Sequence, residues 1–305
     1  MPRNSFVKTA RPRRWSVAVT VISVTAVLFA AACGANTGGS DTASKSVSNG
    51  GSVAASPTPK PTYKPAGVPG SWKLTFDDEF GGNQLDTTKW STGWLASGIT
   101  APVNSTEEEC YDPDQVTVSD GSLNLALITK RESCGISNPV YASGLVNTNG
   151  KFSYTYGFLQ ARVWLPAATG AAGKIADWPA VWTDGQNWPA DGEDDIFEGI
   201  NGRACAHFHS AVNPDGAEPA DGTADVTVRS GCVHETLTGG WHTFGADWEA
   251  GSVTYYYDGK DIGSVTSGVT SAPMFVILDY ASGPPYQSPS TMKVDYVRVW
   301  KKASN

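Results

Sequence analysis

Residues Gln115–Ile128 read QVTVSDGSLNLALI. Two runs rich in strand-forming residues flank Asp120-Gly121, a dipeptide that accepts the positive φ angles of a two-residue turn, so the stretch predicts a tight antiparallel hairpin. SVTYYYDGKDIGSV, at Ser252–Val265, repeats the pattern around Asp258-Gly259. GFLQARVWLP, MFVILDYA and MKVDYVRVW have the same character. No long run has apolar residues at helical spacing with capping signals. Many short strands in one stretch of this length predict an all-β domain, a sandwich of two antiparallel sheets.

That domain does not account for the whole chain. The first 16 residues carry Arg3, Lys8, Arg11, Arg13 and Arg14 and no acid, and Val17–Ala32 is uncharged and mostly apolar, ending AAAC at Cys33. A basic start, a short apolar core and small residues before a cut describe an export signal over 1–32. An apolar run of 16 residues is short for a spanning helix, which needs about 20. The small residues before Cys33 resemble a lipobox, which implies acylation of Cys33, although Ala30 stands where a larger aliphatic residue is usual. The protein is therefore expected to be a cell-surface lipoprotein, with ordinary secretion as the alternative. Residues 33–70 are rich in Ser, Thr, Gly and Pro, bury too little to offset ordering, and read as a tether. The domain is then 71–305.

The formal charge is −8, and loss of the five signal cations takes it to −13. Such a balance excludes nucleic acid or anionic lipid as the main partner, so membrane contact is expected only through a lipid on Cys33. Beyond Cys33 the cysteines are Cys110, Cys134, Cys205 and Cys232, an even number in an exported chain, which predicts two disulfides. Three connectivities are open, and nearest-neighbour pairing is favoured.

The chemistry concentrates at Asp191–Ile200, DGEDDIFEGI, where Glu193, Asp194, Asp195 and Glu198 surround Ile196 and Phe197. On a strand, alternation sends Glu193 and Asp195 to one face, and a regular strand would send Glu198 to the other. One extra residue at Ile196-Phe197, a β-bulge, would return Glu198 to the shared face. Two carboxyl groups about 5–5.5 Å apart are the requirement of a retaining glycosidase. Trp164, Trp178, Trp182 and Trp188 crowd before the acids. Most aromatics fill a sandwich core, but Trp rings also stack on the apolar faces of sugars.

These residues resemble glycoside hydrolase family 16, whose bulged subgroup, which includes laminarinases, carries E-x-D-x-x-E. Here it reads Glu193-Asp194-Asp195-Ile196-Phe197-Glu198. WKLTFDDEF, LDTTKW, YASGLVNT, YGFLQARVWLP, WPAVW, WPADGEDDIFE, WHTFGADW, YYYDGK and VDYVRVW follow in family order. The resemblance implies a jelly-roll (concanavalin A-like) sandwich with a concave cleft. It also implies a polysaccharide substrate, most of all β-1,3- or β-1,3-1,4-glucan, cut internally by a pair of glutamates in a retaining double displacement. By the same resemblance Glu193 is the nucleophile, Glu198 the acid and then base, and Asp195 the hydrogen-bonding partner of the nucleophile. Crowded carboxylates cannot all ionise cheaply, and a raised pKa on Glu198 would suit its acid role. His209, of the pair His207 and His209, matches a cleft-lining position, as do Trp178, Trp182 and Trp188. Asp295 matches a position that often helps hold a structural calcium, or is simply a surface acid; the chemistry itself needs no cofactor. The chain departs from the family at Asp194, where an aliphatic residue is usual, and at Asp279, where Asn is common. A monomer is expected. A transglycosylase with the same site and a non-catalytic glycan-binding surface protein are the alternatives.

Overall fold

Both Asp-Gly turns form as their dipeptides require. Asp120 and Gly121 have φ of 53° and 71°, Asp258 and Gly259 have 47° and 73°, and each pair joins two antiparallel strands with Ser119 opposite Ser122 and Tyr257 opposite Lys260. The computed structural model describes residues 63–136, 139–222, 228–229, 231–233 and 240–303, all within the unit 60–305. The expected signal, Cys33 and the tether up to residue 62 lie outside the described residues.

Two sheets face one another. The larger runs Ala220–Asp221, Lys260–Val265, Ser252–Tyr257, Trp241–Glu249, Gly157–Trp164, Ser290–Lys302, Ser122–Thr129, Tyr141–Ser143, Glu109–Tyr111. Trp72–Asp78 and Val116–Ser119 add to it at Ser290–Lys302 and Ser122–Thr129. The second runs Val228–Arg229, Cys232–Val233, Arg203–His209, Glu193–Ile200, Trp178–Asp184, Phe275–Ala281, Leu145–Asn147, Ser91–Thr92. The fold is the expected jelly-roll sandwich. Among the described residues the only helical element is a 3-10 turn at Pro113–Gln115, and no helix is long and apolar enough to cross a membrane. One pairing differs from expectation: Glu109–Tyr111 runs parallel to Tyr141–Ser143. The chain between them folds into the Gln115–Ile128 hairpin, a connection long enough to return in the same direction.

Of the expected tether, residues 63–70 fall within the described residues. The Tyr63 ring lies 3.6 Å beneath the Arg298 guanidinium, and its carbonyl accepts from Trp300 Nε1 at 3.1 Å. The last residues of the Pro-rich segment thus lie against Ser290–Lys302 instead of hanging free.

The inner layer explains the local backbone around the acids. Ile196 and Phe197, consecutive in sequence, are both buried between the sheets. Phe197 stacks on Phe244 of the opposite sheet at 4.1 Å. Two neighbours cannot face the same way on a regular strand. Burying both, at about 2–3 kcal/mol each, requires an irregularity in the ladder. Asp194 also points inward, fully buried, and accepts from Tyr255 Oη at 2.7 Å. Burial pushes its carboxyl up to about 7, so the departure from the family adds a buried acid to the face opposite the cleft.

Both nearest-neighbour disulfides form: Cys110–Cys134 and Cys205–Cys232. The second joins residues directly opposite on adjacent strands.

Candidate active site

Against the Arg203–His209 strand, Asp195 pairs with His207 and Glu198 with Cys205, so three residues are spent on one strand for two on the other. Against Trp178–Asp184 the break falls between Asp195 and Phe197. This is a bulge at Ile196-Phe197, and its effect is the one the spacing demanded. Glu193, Asp195 and Glu198 line one hollow on the concave face. A carboxylate oxygen of Asp195 lies within 4.8 Å of one on Glu193, and the same holds for Glu198.

Glycine is obligatory beside them. Gly192 has φ of 92°, and a Cβ there would meet Thr270 Oγ1 at 2.5 Å; a Cβ on Gly199 would meet Pro179 Cδ at 2.5 Å. Both positions let the acidic strand pass close to its neighbours.

Each glutamate is held from two sides. Trp188 Nε1 donates to Glu193 Oε2 at 2.5 Å, and Trp178 Nε1 donates to Glu198 Oε1 at 2.9 Å. Glu198 Oε2 lies 3.1 Å from His207 Nδ1. His209 Nε2 lies 3.1 Å from Asp195 Oδ2, while its Nδ1 donates to the Pro214 carbonyl at 2.9 Å. A carbonyl can only accept, so the hydrogen on Nδ1 is fixed by that contact. The two histidines therefore serve different acids, and the sequence singled out only His209.

Burial, the charges of Glu193 and Glu198, and the hydrogen bond with Glu193 push Asp195 well above the usual carboxylate range. Glu193 is also raised, first by burial and by the Glu198 charge, against the opposing pull of His209, Trp188 and Asp195. The shared proton thus resides on Asp195, which donates it to Glu193.

The hollow opens into a cleft of 480 Å³ walled by Trp94, Trp178, Trp182 and Trp188, with His209 at its edge. Trp182 is almost buried and forms floor; its Nε1 donates to Asp279 Oδ1 at 2.7 Å, and it packs on Trp94 at 5.5 Å. Trp188 stands out 53% exposed. Asp279 also accepts from Tyr111 Oη at 2.8 Å, and burial raises it to about 7. Tyr111 reaches Glu107 Oε2 at 3.1 Å, and burial with the Glu109 charge pushes Glu107 to about 10. Sequence reading missed Trp94, Glu107 and Tyr111. The signals were present as a lone Trp in a Gly/Ser loop and as the acid-aromatic run EEECY at Glu107–Tyr111.

Asp295 lies on the other sheet, within Ser290–Lys302, and pairs with Arg162 Nη1 at 2.8 Å. A cation already answers this carboxylate. Among the described residues the groupings of three or more His, Asp or Glu with metal-ligand proximity are the two at the acidic hollow.

A family model described as "Beta-glucan synthesis-associated protein SKN1/KRE6/Sbg1" matches residues 19–198. The chain is 28% identical over 274 residues to glucan endo-1,3-beta-glucosidase A1 of Niallia circulans, covering 75% of this chain and 38% of that protein. It is 26% identical over 255 residues to the endo-1,3-1,4-beta-glycanase ExsH of Rhizobium meliloti, covering 74% and 51%. The fold is similar to that of an endo-beta-1,3-glucanase from Pyrococcus furiosus, with a TM-score of 0.61 at 24% identity, covering 77% of this chain and 96% of that one. The chain spans 38% to 55% of the length of four curated relatives it matches.

Proposed function

Since the chain belongs to the beta-glucan synthesis-associated SKN1/KRE6/Sbg1 family, within the glycoside hydrolase family 16 clan, we propose that it is a retaining endo-β-glucanase acting on β-1,3- or β-1,3-1,4-glucan. The observation that carries this reading is the bulge that turns Glu193, Asp195 and Glu198 onto one face of a Trp-walled cleft.

In the proposed reaction Glu193 attacks the anomeric carbon while Glu198 gives its proton to the leaving oxygen. The glycosyl-enzyme ester then reacts with water, whose proton returns to Glu198. Trp188 and Asp195 both donate to Glu193 and so favour its ionised form before attack. Trp178, Trp182 and Trp188 offer ring faces for sugar stacking, with His209 beside them. The steps draw on side chains alone, and any calcium would act on stability. The proposed steps need no group from a second chain, in keeping with the monomer expected from the sequence. The basic start, apolar run and Cys33 support export and anchoring by a lipid, or secretion if Cys33 is not acylated.

Transfer to a second sugar in place of water uses the same intermediate, and the family description, which speaks of glucan synthesis, favours keeping that reading in view. A non-catalytic glycan binder has no need of the complete acidic set. The test is release of reducing ends from laminarin and lichenan by the purified protein. Parent activity that disappears in Glu193→Gln, with sugar binding retained, is the expected result. Equal rates for parent and variant would overturn the assignment of the nucleophile.

A further inference from the structure

A second cavity, of 430 Å³, lies away from the acids, at the Ser91–Thr92 edge of the sheet that carries them. Strand pairing places it. Asp195 lies opposite Trp182, Trp182 opposite Ile277, Ile277 opposite Asn147, and Asn147 opposite Ser91. Residues directly opposite one another share a face, so Asn147 and Ser91, which line the cavity, look the same way as Asp195. Four strand spacings of about 4.8 Å put Ser91 roughly 19 Å from Asp195 at Cα. Cavity and cleft are neighbours, and no residue lines both. Trp94 walls the cleft, while Gly93 and Leu95 on either side of it line the cavity. Gln186, between Asp184 and Trp188 of the cleft, donates Nε2 to Asn149 Oδ1 in the cavity wall at 2.9 Å.

The lining holds no carboxylate, in a chain of formal charge −8. Its one cation, Lys151, donates to the carbonyls of Thr87 and Trp90, each at 2.5 Å. What remains is hydroxyl on Ser91 and Thr92, amide on Asn149, and aliphatic surface on Leu85 and Leu95. Hydroxyls and amides both donate and accept, as the OH groups of a sugar require, and aliphatic surface suits its C–H faces. The set favours an uncharged, hydroxyl-rich guest over an ion, and the volume falls in the small-ligand range of about 300–1,000 Å³.

Leu95 adds an independent sign. Its φ is 50°, and it is the one aliphatic residue among the described non-glycine residues with positive φ. Asn and Asp adopt such angles readily, whereas a bulky apolar side chain resists them. Core burial does not offset that strain, because Leu95 is 54% exposed. Strained residues of this kind cluster at ligand clamps and active sites.

We propose that this cavity is a second glycan-binding site that takes a β-glucan segment. Leu95 lies against the apolar face of a sugar, and Ser91, Thr92 and Asn149 meet its hydroxyls. The choice of glycan rests on the glucanase reading above. A polymer held in the cleft presents its other segments to the cavity at high effective concentration, so long chains bind more tightly with no change in the chemistry at Glu193. An oligosaccharide too short to span about 19 Å gains nothing from the second site.

Leu95→Gly tests the idea, because glycine adopts a positive φ without strain and removes the side chain. The variant is expected to keep the parent's Tm. The ratio of kcat/KM on laminarin to kcat/KM on an aryl β-laminaribioside should fall threefold or more. Ser91→Tyr, which fills the cavity, is the second variant should the first fail to fold. An unchanged ratio in a folded variant, whether both rates hold or both fall alike, would overturn the proposal. A parent that cuts neither substrate would overturn the glucanase reading. The cavity would then be decided by retention in a laminarin affinity gel: weaker retention of Leu95→Gly than of the parent upholds it, and equal retention or none overturns it.

Discussion

Trp188, although 53% exposed, donates its indole N–H to Glu193 Oε2 at 2.5 Å. The residue thus combines a ring face open to the cleft with a hydrogen bond to the acid assigned as nucleophile. That bond lowers the Glu193 pKa against burial, so its loss should raise it. Trp188→Phe keeps an aromatic face and removes the donor. The acid limb of the kcat/KM profile is expected to move to higher pH by up to about one unit, since a bond to an ionised group contributes about 1.5 kcal/mol. Activity near pH 5 should fall more than activity near pH 7. An unmoved acid limb would leave Trp188 with stacking alone.

Asp195 carries its proton toward Glu193, pushed there by burial and by the glutamates on either side. An amide has the same shape and also donates. Asp195→Asn is therefore expected to keep markedly more activity than Asp195→Ala, by about tenfold or more in kcat. Asn as damaging as Ala would mean that the ionised form of Asp195 is the working one.

The hairpins were legible because Asp-Gly admits φ values that other dipeptides resist, and a two-residue turn fixes strand register. The bulge was legible for a different reason. Glu193, Asp195 and Glu198 fit one face only if a residue is inserted, and two adjacent large apolar residues mark the place. Tyr63 was not legible: a Pro-rich segment with few apolar groups reads as solvated, and its contacts are one ring against Arg298 and one carbonyl accepting from Trp300. The pairing of Glu109–Tyr111 with Tyr141–Ser143 was hidden because three-residue strands carry no period to count.

Within the site, what sequence could not supply was the partner of each acid. His207 and His209 share a face, but only the register decides that His207 serves Glu198 and His209 serves Asp195. The second layer of acids, Glu107, Glu109 and Asp279, meets beneath the cleft from strands far apart in the chain. Asp295 likewise has a partner that its motif position does not name, since Arg162 arrives from the adjacent strand.

Stability should fall as pH rises from about 4 to about 8. Burial raises Asp177 to about 6 and Asp184, Asp194 and Asp279 to about 7. Each binds a proton more tightly folded than unfolded, where an aspartate titrates near 3.9. Between the two values the folded state holds more protons, so the unfolding free energy drops with increasing pH. Asp112 and Asp258 act in the opposite sense. Although burial opposes it, hydrogen bonds from Lys130 and from His242 hold them low, and that stabilisation is lost only as pH falls below about 4. Tm is thus expected to be higher at pH 5 than at pH 8. Asp194→Asn keeps an acceptor for Tyr255 and cannot ionise, so it should raise Tm at pH 8 and flatten the slope. A Tm that climbs from pH 5 to pH 8 would contradict the buried-acid account.

The disulfides bracket the site on two sides, and reduction should affect stability before chemistry. Cys205 sits on the strand that carries His207 and His209, and Cys110 lies between Glu109 and Tyr111. The bridges close loops of 24 and 27 residues. Constraint of the unfolded chain by loops of that length contributes about 3 kcal/mol each. None of the proposed steps uses sulfur, so the reduced protein, while still folded at low temperature, should retain most of its kcat. Its Tm should drop by several degrees, about 2–4 °C per kcal/mol for a domain of this size. Separate Cys→Ser pairs distinguish the two bridges. Loss of Cys205–Cys232 is expected to raise KM as well, because it ties the histidine strand to its outer neighbour, Cys232–Val233. An unchanged KM in a folded Cys205→Ser/Cys232→Ser variant would show that hydrogen bonding alone keeps that strand in place.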